Sequence, residues 1–331
     1  MTKVSVILAA FNEEKYIENA IRSILNQTLT DFELIIVNDG SSDNTLNIIN
    51  SFKDSRIKLI NQKNRGPGAC RNNALDIAQG EYIMYLDGDD WYSRNALEIA
   101  YAEAKSKDTD FTFYQMINYD NDTGRKYEND WFSLKIFDES YENTVFNIAD
   151  FKGSIFDLSV GVCQKIYNAS FLRGIDARFP EGIFFEDMPF FYYVLLKAEK
   201  ISIIKKCLYY RRKHAESITH VVDWKFLDTV PAGRELFRIF IENGWYDAYK
   251  FDLLAYKING PRFALRDIKE NYKIPLYELI KKDYCEIKEG PYYQDYIDNL
   301  GPVKKKFFLD IIKSKDYDDF KTLNQEKSSP P

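Results

Sequence analysis

The chain has 331 residues, 45% of them apolar, which is enough for one large or two medium domains around a substantial core. Its net charge of −6 and pI near 5.3 exclude the electrostatic footprint of a nucleic-acid-binding protein, so an anionic ligand must be held by a local site. Four widely spaced cysteines with no CxxC motif argue for a reducing compartment and against structural zinc.

The sequence also indicates how the protein could relate to a membrane. It contains no apolar run of the ~18 residues that a membrane span needs, and its N-terminus lacks the shape of a signal peptide. We therefore expect a soluble, cytoplasmic protein. Aromatic residues make up 16% of the chain. They leave open a peripheral contact with the inner face of a membrane, or a contact with sugar rings.

The N-terminal segment predicts a βαβ unit. Residues 4–10 and 33–38 are apolar runs with the length of buried strands, and residues 15–26 carry apolar side chains at helical spacing. The sheet should therefore be parallel, with a right-handed crossover. Asn12 is the expected N-cap of the helix, with Glu13 in its first turn.

The pattern of strand, polar loop and helix then repeats. The second strand ends at Asp39, and a third strand over residues 57–60 leads to a polar loop, residues 61–69, and to a helix over residues 70–78. The carboxyl ends of parallel strands lie at one edge of a sheet, where ligands bind in open α/β folds. Taken alone, Asp39 is better explained as a turn residue.

The stretch EYIMYLDGDDW predicts a fourth buried strand that ends in the carboxylates Asp87, Asp89 and Asp90. Gly88 gives the chain the freedom to turn the first two toward one side, where they could share a divalent cation and diphosphate oxygens. An acidic turn in which Asp90 caps the next helix explains these residues equally well.

The loop after the first strand limits how a nucleotide could bind. Dinucleotide-binding folds need G-x-G-x-x-G at this place, whereas the chain has AAFNEEKY, and it has no P-loop. A diphosphate would therefore be held mainly by a metal and by side chains, for which an aspartate cluster is suited.

Several motifs together resemble a known family. SVILAAFNEEKYIENAIRSILNQTLTDFELIIVNDGSSDNT, NRGPGACRNNAL and GEYIMYLDGDDW closely resemble the amino-terminal half of family 2 glycosyltransferases, GT-A enzymes that use nucleotide-diphospho-sugars. The match extends to about residue 100. It departs at Ala9, where the family often has Pro, and at Cys70, where it often has Ala. The expected fold class is α/β: a doubly wound, mixed GT-A sheet with a C-terminal α-helical extension.

The resemblance implies a nucleotide site and a divalent metal, Mn²⁺ or Mg²⁺. By that resemblance Asp89 is the main metal ligand, and Asp87 reaches toward the ribose or the metal. The nucleotide contacts implied are Ala10, Phe11, Glu13, Asp39, Asn64, Gly66, Arg71, Asp87 and Gly88.

Glu186 and Asp187 lie between aromatic residues in the stretch FPEGIFFEDMPFF. Apolar surroundings raise the proton affinity of a carboxylate, which suits a general base near neutral pH. A helix should start here, and without the upstream motifs both residues are better explained as helix caps. The resemblance implies that Asp187 is the catalytic base and that Glu186 supports it or binds the acceptor hydroxyl.

The stretch YYRRKHAESIT follows a predicted strand over residues 201–204 and concentrates basic side chains late in an acidic chain. Such a cluster suits a leaving diphosphate. It resembles the family's Y-R-x-x-x-S-x-T element, a flexible loop that closes over the nucleotide. The resemblance implies nucleotide contacts from Arg211 and His214, and a metal contact from His214, with Ser217 and Thr219 completing the element. A lone histidine is more often structural.

The composition changes after residue 221, where helical periodicity with aromatic residues on the apolar faces predicts an appendage. We expect breaks between its helices at Gly244 and at residues 260–261 and 290–291. A short helix is expected near residues 160–167. The predicted domains are residues 1–220, with a nucleotide-sugar half (1–110) and an acceptor half (111–220), a helical extension (221–327) and a disordered tail (328–331).

The resemblance implies metal-dependent, inverting transfer of a sugar from a nucleotide-diphospho-sugar, most simply a UDP-sugar, to a hydroxyl of a glycan or lipid-linked acceptor. Synthesis of surface polysaccharide or glycoconjugates is the expected role. Nucleotidyl transfer to a sugar phosphate is an alternative, against which the missing Gly-rich loop counts. A non-catalytic binding protein for sugar nucleotides or glycans is the alternative from another class, and the aspartate motif and the Glu186–Asp187 pair weigh against it.

Overall fold

The computed structural model describes residues 2–129, 132–214 and 222–325. Contacts divide the chain into two compact units, Met1–Ala215 and Glu216–Pro331. The first is built on one mixed sheet with helices, and the described part of the second consists of helices. The predicted α/β fold class with C-terminal helices is therefore confirmed. The predicted tail, residues 328–331, lies outside the described residues.

Four parallel strands form one half of the sheet, in the order β3-β2-β1-β4. β2 is buried along its whole length, as expected for a parallel strand covered on both faces. The register places Ala10 beside Asn38, and Ala9 beside Asp87, so the polar residues that end these strands meet at one edge. The elements are β1 (Val4–Ala10), α1 (Ile17–Leu25), β2 (Phe32–Asn38), α2 (Thr45–Ser51), β3 (Ile57–Asn61), α3 (Pro67–Ile77) and β4 (Tyr82–Asp87).

The other half of the sheet continues in the order β4-β8-β6-β9-β5, with β7 paired to β6. β8 is antiparallel to β4 and β6, whereas β9 runs parallel to β6, which makes the sheet mixed. The elements are β5 (Trp91–Tyr92), α4 (Ala96–Lys107), β6 (Phe111–Asp120), β7 (Lys126–Tyr127), β8 (Lys165–Asn168), α5 (Ala169–Gly174), α6 (Asp187–Lys197) and β9 (Ile201–Lys213).

The positions of β4 and β5 show that the sheet curls. Four steps between neighbouring strands separate them, which in a flat sheet would amount to about 19 Å at ~4.8 Å a step. Asp87 and Trp91 are joined by a chain that spans at most about 14 Å. The sheet must therefore fold back, and the backbone N–H of Arg212 at the end of β9 donates to Asp90 after β4 at 2.6 Å. The curl brings the end of β9 to the edge where the parallel strands end.

The predicted start of the first helix is wrong. α1 begins at Ile17, so Asn12 is not its cap and Glu13 precedes it. Asn12 has a left-handed φ of 57°, and its side-chain oxygen accepts a hydrogen bond from the backbone N–H of Ser42 at 2.8 Å. The N–H of Glu13 donates to Thr45 Oγ1 at 2.8 Å. Asn12 therefore ties the loop after β1 to the loop after β2, Glu13 ties it to the start of α2, and this long-range pairing outweighs local capping.

Two other predicted helices also differ. The helix expected near residues 160–167 is absent, because Val162–Gln164 forms a single 3-10 turn and Lys165–Asn168 forms β8. In β8 the β-branched Ile166 and the aromatic Tyr167 favour a strand. Pairing of β8 with both β4 and β6 then fixes the extended conformation. α3 begins at Pro67 rather than at residue 70, since proline is favourable in the first turn of a helix.

The described part of the second unit contains α7 (Thr229–Glu242), α8 (Tyr246–Asp267), α9 (Glu270–Glu289), α10 (Tyr293–Asn299), α11 (Pro302–Lys313) and α12 (Tyr317–Gln325). The predicted breaks at Gly244 and at residues 290–291 are confirmed. The break at residues 260–261 is wrong, because α8 continues through Pro261, which is buried, and packing of the helix offsets the hydrogen bond that proline removes. Among the helices described, none combines the length and apolar character of a membrane span.

A buried ion cluster lies between α7, α8 and α9. Asp283 is almost fully buried and accepts hydrogen bonds from Lys257 Nζ and from Arg234 Nε, the latter at 2.7 Å. Arg234 also pairs with Glu286 at 2.8 Å. Burial lowers the pKa of Lys257, and the carboxylate of Asp283 opposes that effect. The buried ammonium group of Lys257 is tolerated because the carboxylate of Asp283 compensates its charge.

Asp283→Asn should lower the free energy of unfolding by about 3–5 kcal/mol, because it leaves the buried Lys257 without a countercharge. Denaturant unfolding of the full chain at pH 7 measures the loss. The double substitution Lys257→Met with Asp283→Leu should recover most of it. The matched control is Asp247→Asn, which changes an aspartate that is 93% exposed and should leave stability unchanged. An equal effect in the two single variants would contradict the assigned role of the buried cluster.

Candidate active site

The loop Asp87–Gly88–Asp89–Asp90 begins at the last residue of β4, at the edge where the parallel strands end. Gly88 does not have a positive φ, so the predicted need for conformational freedom is wrong. Its role is close packing: a Cβ atom at this position would lie 2.8 Å from the Glu13 side chain and 3.4 Å from the carbonyl oxygen of Ala9. The aspartate loop therefore lies directly against the loop that follows β1.

Asp90 anchors the aspartate loop to β9 and does not cap the following helix. Its side chain is buried and accepts hydrogen bonds from Tyr209 Oη and from the backbone N–H of Arg212, both at 2.6 Å. The Arg212 side chain also donates to the carbonyl oxygen of Asp89 at 2.8 Å. Burial, and then the charges of Asp89 and Asp87, raise the pKa of Asp90 well above its usual range. The close spacing of the aspartates at positions 87, 89 and 90 was the only sequence signal for this anchor.

Asp89 and His214, both predicted as metal ligands, have side chains that lie next to each other. Asp89 Oδ2 lies 3.1 Å from His214 Nε2, and the imidazole packs against the ring of Tyr16 at 4.7 Å between centroids. Within the part of the chain that the structure describes, no three His, Cys, Asp or Glu side chains come together as a metal cage. Mg²⁺ is commonly held by one or two carboxylates together with water and substrate phosphates, which suits Asp89, and His214 adds a nitrogen ligand of the kind that transition metals accept.

Arg211 lies in β9 and not in a loop, because β9 extends to Lys213. It pairs in register with Asn118 of β6, and its guanidinium lies 4.9 Å from the centroid of the Phe132 ring. Ser217 and Thr219, which complete the predicted element, lie outside the described residues. The strand therefore delivers His214, the residue after Lys213, to the aspartate loop.

Arg71 is the buried centre of the site. It lies in α3, and its guanidinium forms ion pairs with Glu186 and with Asp87, the latter at 3.0 Å. The side chain of Arg71 is 8% exposed and that of Glu186 is 6% exposed. Burial raises the pKa of Glu186, and the charge of Arg71 opposes that effect. Arg71 thus joins the end of β4 to the start of α6.

Asp187 is the first residue of α6, directly after Glu186. Burial, followed by the charge of Glu186, raises the pKa of Asp187 to about 7. Phe185 has a φ of 65°, an uncommon conformation for a bulky residue, so the backbone before the acidic pair is strained. A carboxyl group with this pKa can accept a proton at neutral pH.

α3 also holds the segment that leads to the acidic pair. The Asn72 side chain donates to the carbonyl oxygen of Phe179 and accepts from its N–H, both at 2.9 Å. A Cβ atom at Gly68 would lie 2.2 Å from the carbonyl oxygen of Pro180, so only glycine permits this approach. Sequence reasoning missed Asn72 and Gly68, although both belong to the motif NRGPGACRNNAL that it singled out.

Asp39 organises the nucleotide-facing edge predicted from the first strands. It is buried, and its carboxylate accepts hydrogen bonds from the backbone N–H groups of Arg65 and Gly66 at 2.9 and 2.8 Å, and from the Gln62 side chain. Its own N–H donates to the carbonyl oxygen of Ala10 at 2.9 Å. Asp39 therefore fixes the loop before α3, and nucleotide contact from this residue stays a prediction.

The other predicted nucleotide residues surround this edge. Phe11 is 47% exposed directly after β1, where an aromatic face is available for stacking. Asn64 is exposed, and its backbone nitrogen would lie 2.9 Å from a Cβ atom at Gly40. Gly40 has a φ of 73°, so glycine is required there on both grounds. The structure thus brings the loops after β1, β2 and β3 and the aspartate loop to one edge.

Comparison with known proteins shows the class to which the chain belongs. The model of Glycosyl transferase family 2 matches residues 5–165. EpsH of Bacillus subtilis (strain 168), named as a glycosyltransferase, is 31% identical over 305 residues, covering 90% of this chain and 86% of that protein. TarS of Staphylococcus aureus (strain Mu50), named poly(ribitol-phosphate) beta-N-acetylglucosaminyltransferase, is 27% identical over 339 residues, covering 98% of this chain and 56% of TarS.

A crystal structure of S. aureus TarS 1–349 in complex with UDP superimposes with a TM-score of 0.71 at 23% identity, covering 97% of this chain and 90% of that one. A complex of the same protein with UDP-GlcNAc gives the same values. The fold and these relatives define an enzyme of the glycosyltransferase class. The chain belongs to glycosyl transferase family 2.

Arg71→Met should lower the free energy of unfolding by about 3–5 kcal/mol, because the buried carboxylate of Glu186 loses its cation. Urea unfolding at pH 7 measures the change. Arg65→Met is the matched control: it removes an arginine whose side chain is 54% exposed and paired with Glu181, and should cost less than about 1 kcal/mol. Equal losses in the two variants would show that the buried pairs stabilise no more than a surface pair.

Proposed function

We propose that this glycosyltransferase moves a sugar from a nucleotide-diphospho-sugar, a UDP-sugar in the first instance, to a hydroxyl of a glycan or lipid-linked acceptor, with inversion and with a divalent cation. The observation that carries the proposal is the arrangement around Arg71. This one guanidinium joins Asp87, at the aspartate loop, to Glu186, the neighbour of Asp187. The proposed metal-binding loop and the proposed base are thereby linked through one residue.

Asp187 would accept the proton of the acceptor hydroxyl while the oxygen attacks the anomeric carbon. The C–O bond to the acceptor forms as the bond to the donor diphosphate breaks, and the diphosphate leaves with the bonding electron pair. A single displacement of this kind needs one base, whereas a retaining glycosidase pairs an acid with a nucleophile. Glu186 is engaged by Arg71, which supports an orienting role for it and leaves Asp187 as the base.

Asp89 and His214 would hold the cation, with Asp87 nearby but engaged by Arg71. A bound divalent cation supplies positive charge that stabilises the negative charge developing on the leaving diphosphate. Arg212 orients this loop through the carbonyl oxygen of Asp89. The loops carrying Phe11, Asp39 and Gly66 would receive the base and ribose of the donor.

The relatives support the donor class and the role. TarS has been crystallised in complex with UDP and with UDP-GlcNAc. Its name describes transfer to poly(ribitol-phosphate), a polymeric acceptor. A polymeric glycan or glycoconjugate is therefore the acceptor class proposed here, with cell-surface polymer synthesis as the role. Nucleotide release from UDP-, GDP- and dTDP-sugars in the presence of Mn²⁺ would identify the donor.

Asp187→Asn should reduce turnover by ~10²–10⁴-fold, because the amide keeps the shape of the side chain but cannot accept the proton. Donor affinity should barely change. Wild-type turnover should increase as the pH rises through about 7, since the pKa of Asp187 is raised to about 7 and only the carboxylate is active. Nucleotide release at saturating donor, measured from pH 5 to 9, tests both expectations.

Glu186→Gln is the matched control for this substitution, and its loss of turnover should be smaller, because Glu186 acts through Arg71. If Glu186→Gln lost turnover and Asp187→Asn kept it, the two roles would be reversed. If both variants stayed active, the base would lie elsewhere and Asp187 would be only the first residue of a helix.

Asp89→Ala should abolish Mn²⁺-dependent binding of UDP while the protein stays folded, because the substitution removes a carboxylate from a charged loop at the sheet edge. Titration calorimetry with UDP, with and without Mn²⁺, measures the effect. Asp31→Ala, which changes an exposed aspartate paired with Lys3, should bind like the wild type. Unchanged Mn²⁺-dependent affinity in Asp89→Ala would overturn the metal assignment.

A further inference from the structure

Lys165, the first residue of β8, is a cation in the interior of the α/β unit. Its exposed fraction is 0%, and its ammonium donates to the carbonyl oxygens of Ser159 and Gly161 at 2.9 and 2.7 Å. In the described residues no carboxylate lies within ion-pair distance of Lys165 Nζ. Placing an ammonium in such surroundings is costly, and carbonyl oxygens compensate its charge only in part.

The position of Lys165 relates it to the proposed base. Its ammonium lies 4.3 Å from the centroid of the Phe191 ring and 4.8 Å from that of Phe113. Phe191 is four residues after Asp187 in α6, and residues at this spacing lie on the same face of a helix. The buried charge therefore rests against the face of α6 whose first turn carries Asp187.

The charged groups that act on Asp187 come from four elements, and Cys163, in the 3-10 turn before β8, also raises the pKa of Lys165. Asp187 is influenced by Glu186 beside it, by Arg71 of α3, by Asp87 of β4 and by Lys165 of β8. The two carboxylates raise the pKa of Asp187, and the two cations lower it. Arg71 divides its charge between Glu186 and Asp87, whereas Lys165 has no ion pair with either. Lys165 is therefore the cation of this group that no described carboxylate neutralises by direct contact.

We propose that Lys165 is a positioning residue, whose buried positive charge favours the carboxylate form of Asp187 and so keeps the base ready to accept the acceptor proton. The inference rests on the proposed function and adds a residue to it. Burial lowers the pKa of Lys165 to about 7, and the charge of Asp187 opposes that effect, so each group stabilises the charged form of the other.

The test is the pH dependence of turnover in two uncharged variants. Lys165→Met removes both charge and hydrogen bonding, and Lys165→Gln removes the charge but can still donate to a carbonyl oxygen. At an effective dielectric of ~20, a unit charge roughly 8–10 Å away shifts a carboxyl pKa by about one unit, and losing an opposite charge raises it. The acidic limb of kcat should therefore move to higher pH by about one unit in both variants, with donor KM unchanged. UDP release from UDP-N-acetylglucosamine with Mn²⁺ is the assay, or from whichever donor the wild type turns over fastest.

Two control variants separate charge from packing. Lys165→Arg keeps a positive charge at every pH, so its acidic limb should stay at or below the wild-type position. Lys197→Met removes an exposed lysine from the other end of α6 and should leave the profile unchanged. Thermal unfolding identifies variants that lose stability, and Lys165→Gln remains informative if Lys165→Met does not fold.

The outcomes distinguish this inference from the function on which it rests. If Asp187→Asn loses turnover but the acidic limb stays in place in the uncharged Lys165 variants, the inference about Lys165 is wrong and the base assignment stands. If Asp187→Asn keeps both turnover and the acidic limb, the base assignment itself is wrong. If the acidic limb of kcat moved to higher pH as much in Lys165→Arg as in Lys165→Gln, the change in packing and not the loss of charge would be the cause of the shift.

Discussion

The buried guanidinium of Arg71 is the interaction on which the rest of the site depends. Two carboxylates from distant parts of the chain, Asp87 and Glu186, share it. A buried carboxylate without a cation would be strongly destabilising, so α6 can begin at this place only because α3 supplies the charge. The same contact brings the proposed base, Asp187, to the edge where β4 ends. The stability of this region and the geometry of the proposed site therefore both depend on one residue.

A second constraint is the curl of the mixed sheet. The hydrogen bonds from Tyr209 and Arg212 to Asp90 fasten the end of β9 to the aspartate loop, and His214 follows directly. The aspartate loop is thus held from two sides, by Arg71 of α3 and by β9. Asp89 lies between these two attachments, where the proposed cation and diphosphate would bind. Because the buried Asp90 holds the loop, Asp89 is already in position before any ligand binds.

Much of the fold could be predicted from local patterns. The four parallel strands were recognisable because each is a short apolar run followed by polar residues, and that pattern directly reflects burial on both faces. The breaks at Gly244 and at residues 290–291 were recognisable because glycine and proline limit helices locally. β8 and the start of α1 were not, because their conformation depends on pairing with segments far away in sequence.

The sequence by itself determined the class of fold, the aspartate loop and the acidic pair at Glu186 and Asp187, because residue type and spacing carry that information. Only the tertiary structure decided which charged and polar side chains pair with each other. Arg71 and Glu186 are 115 residues apart, and Asp90 and Tyr209 are 119 apart. Lys165 gave no sequence signal at all. Electrostatic partners depend on the path of the whole chain, and local patterns of burial and backbone preference do not encode that path.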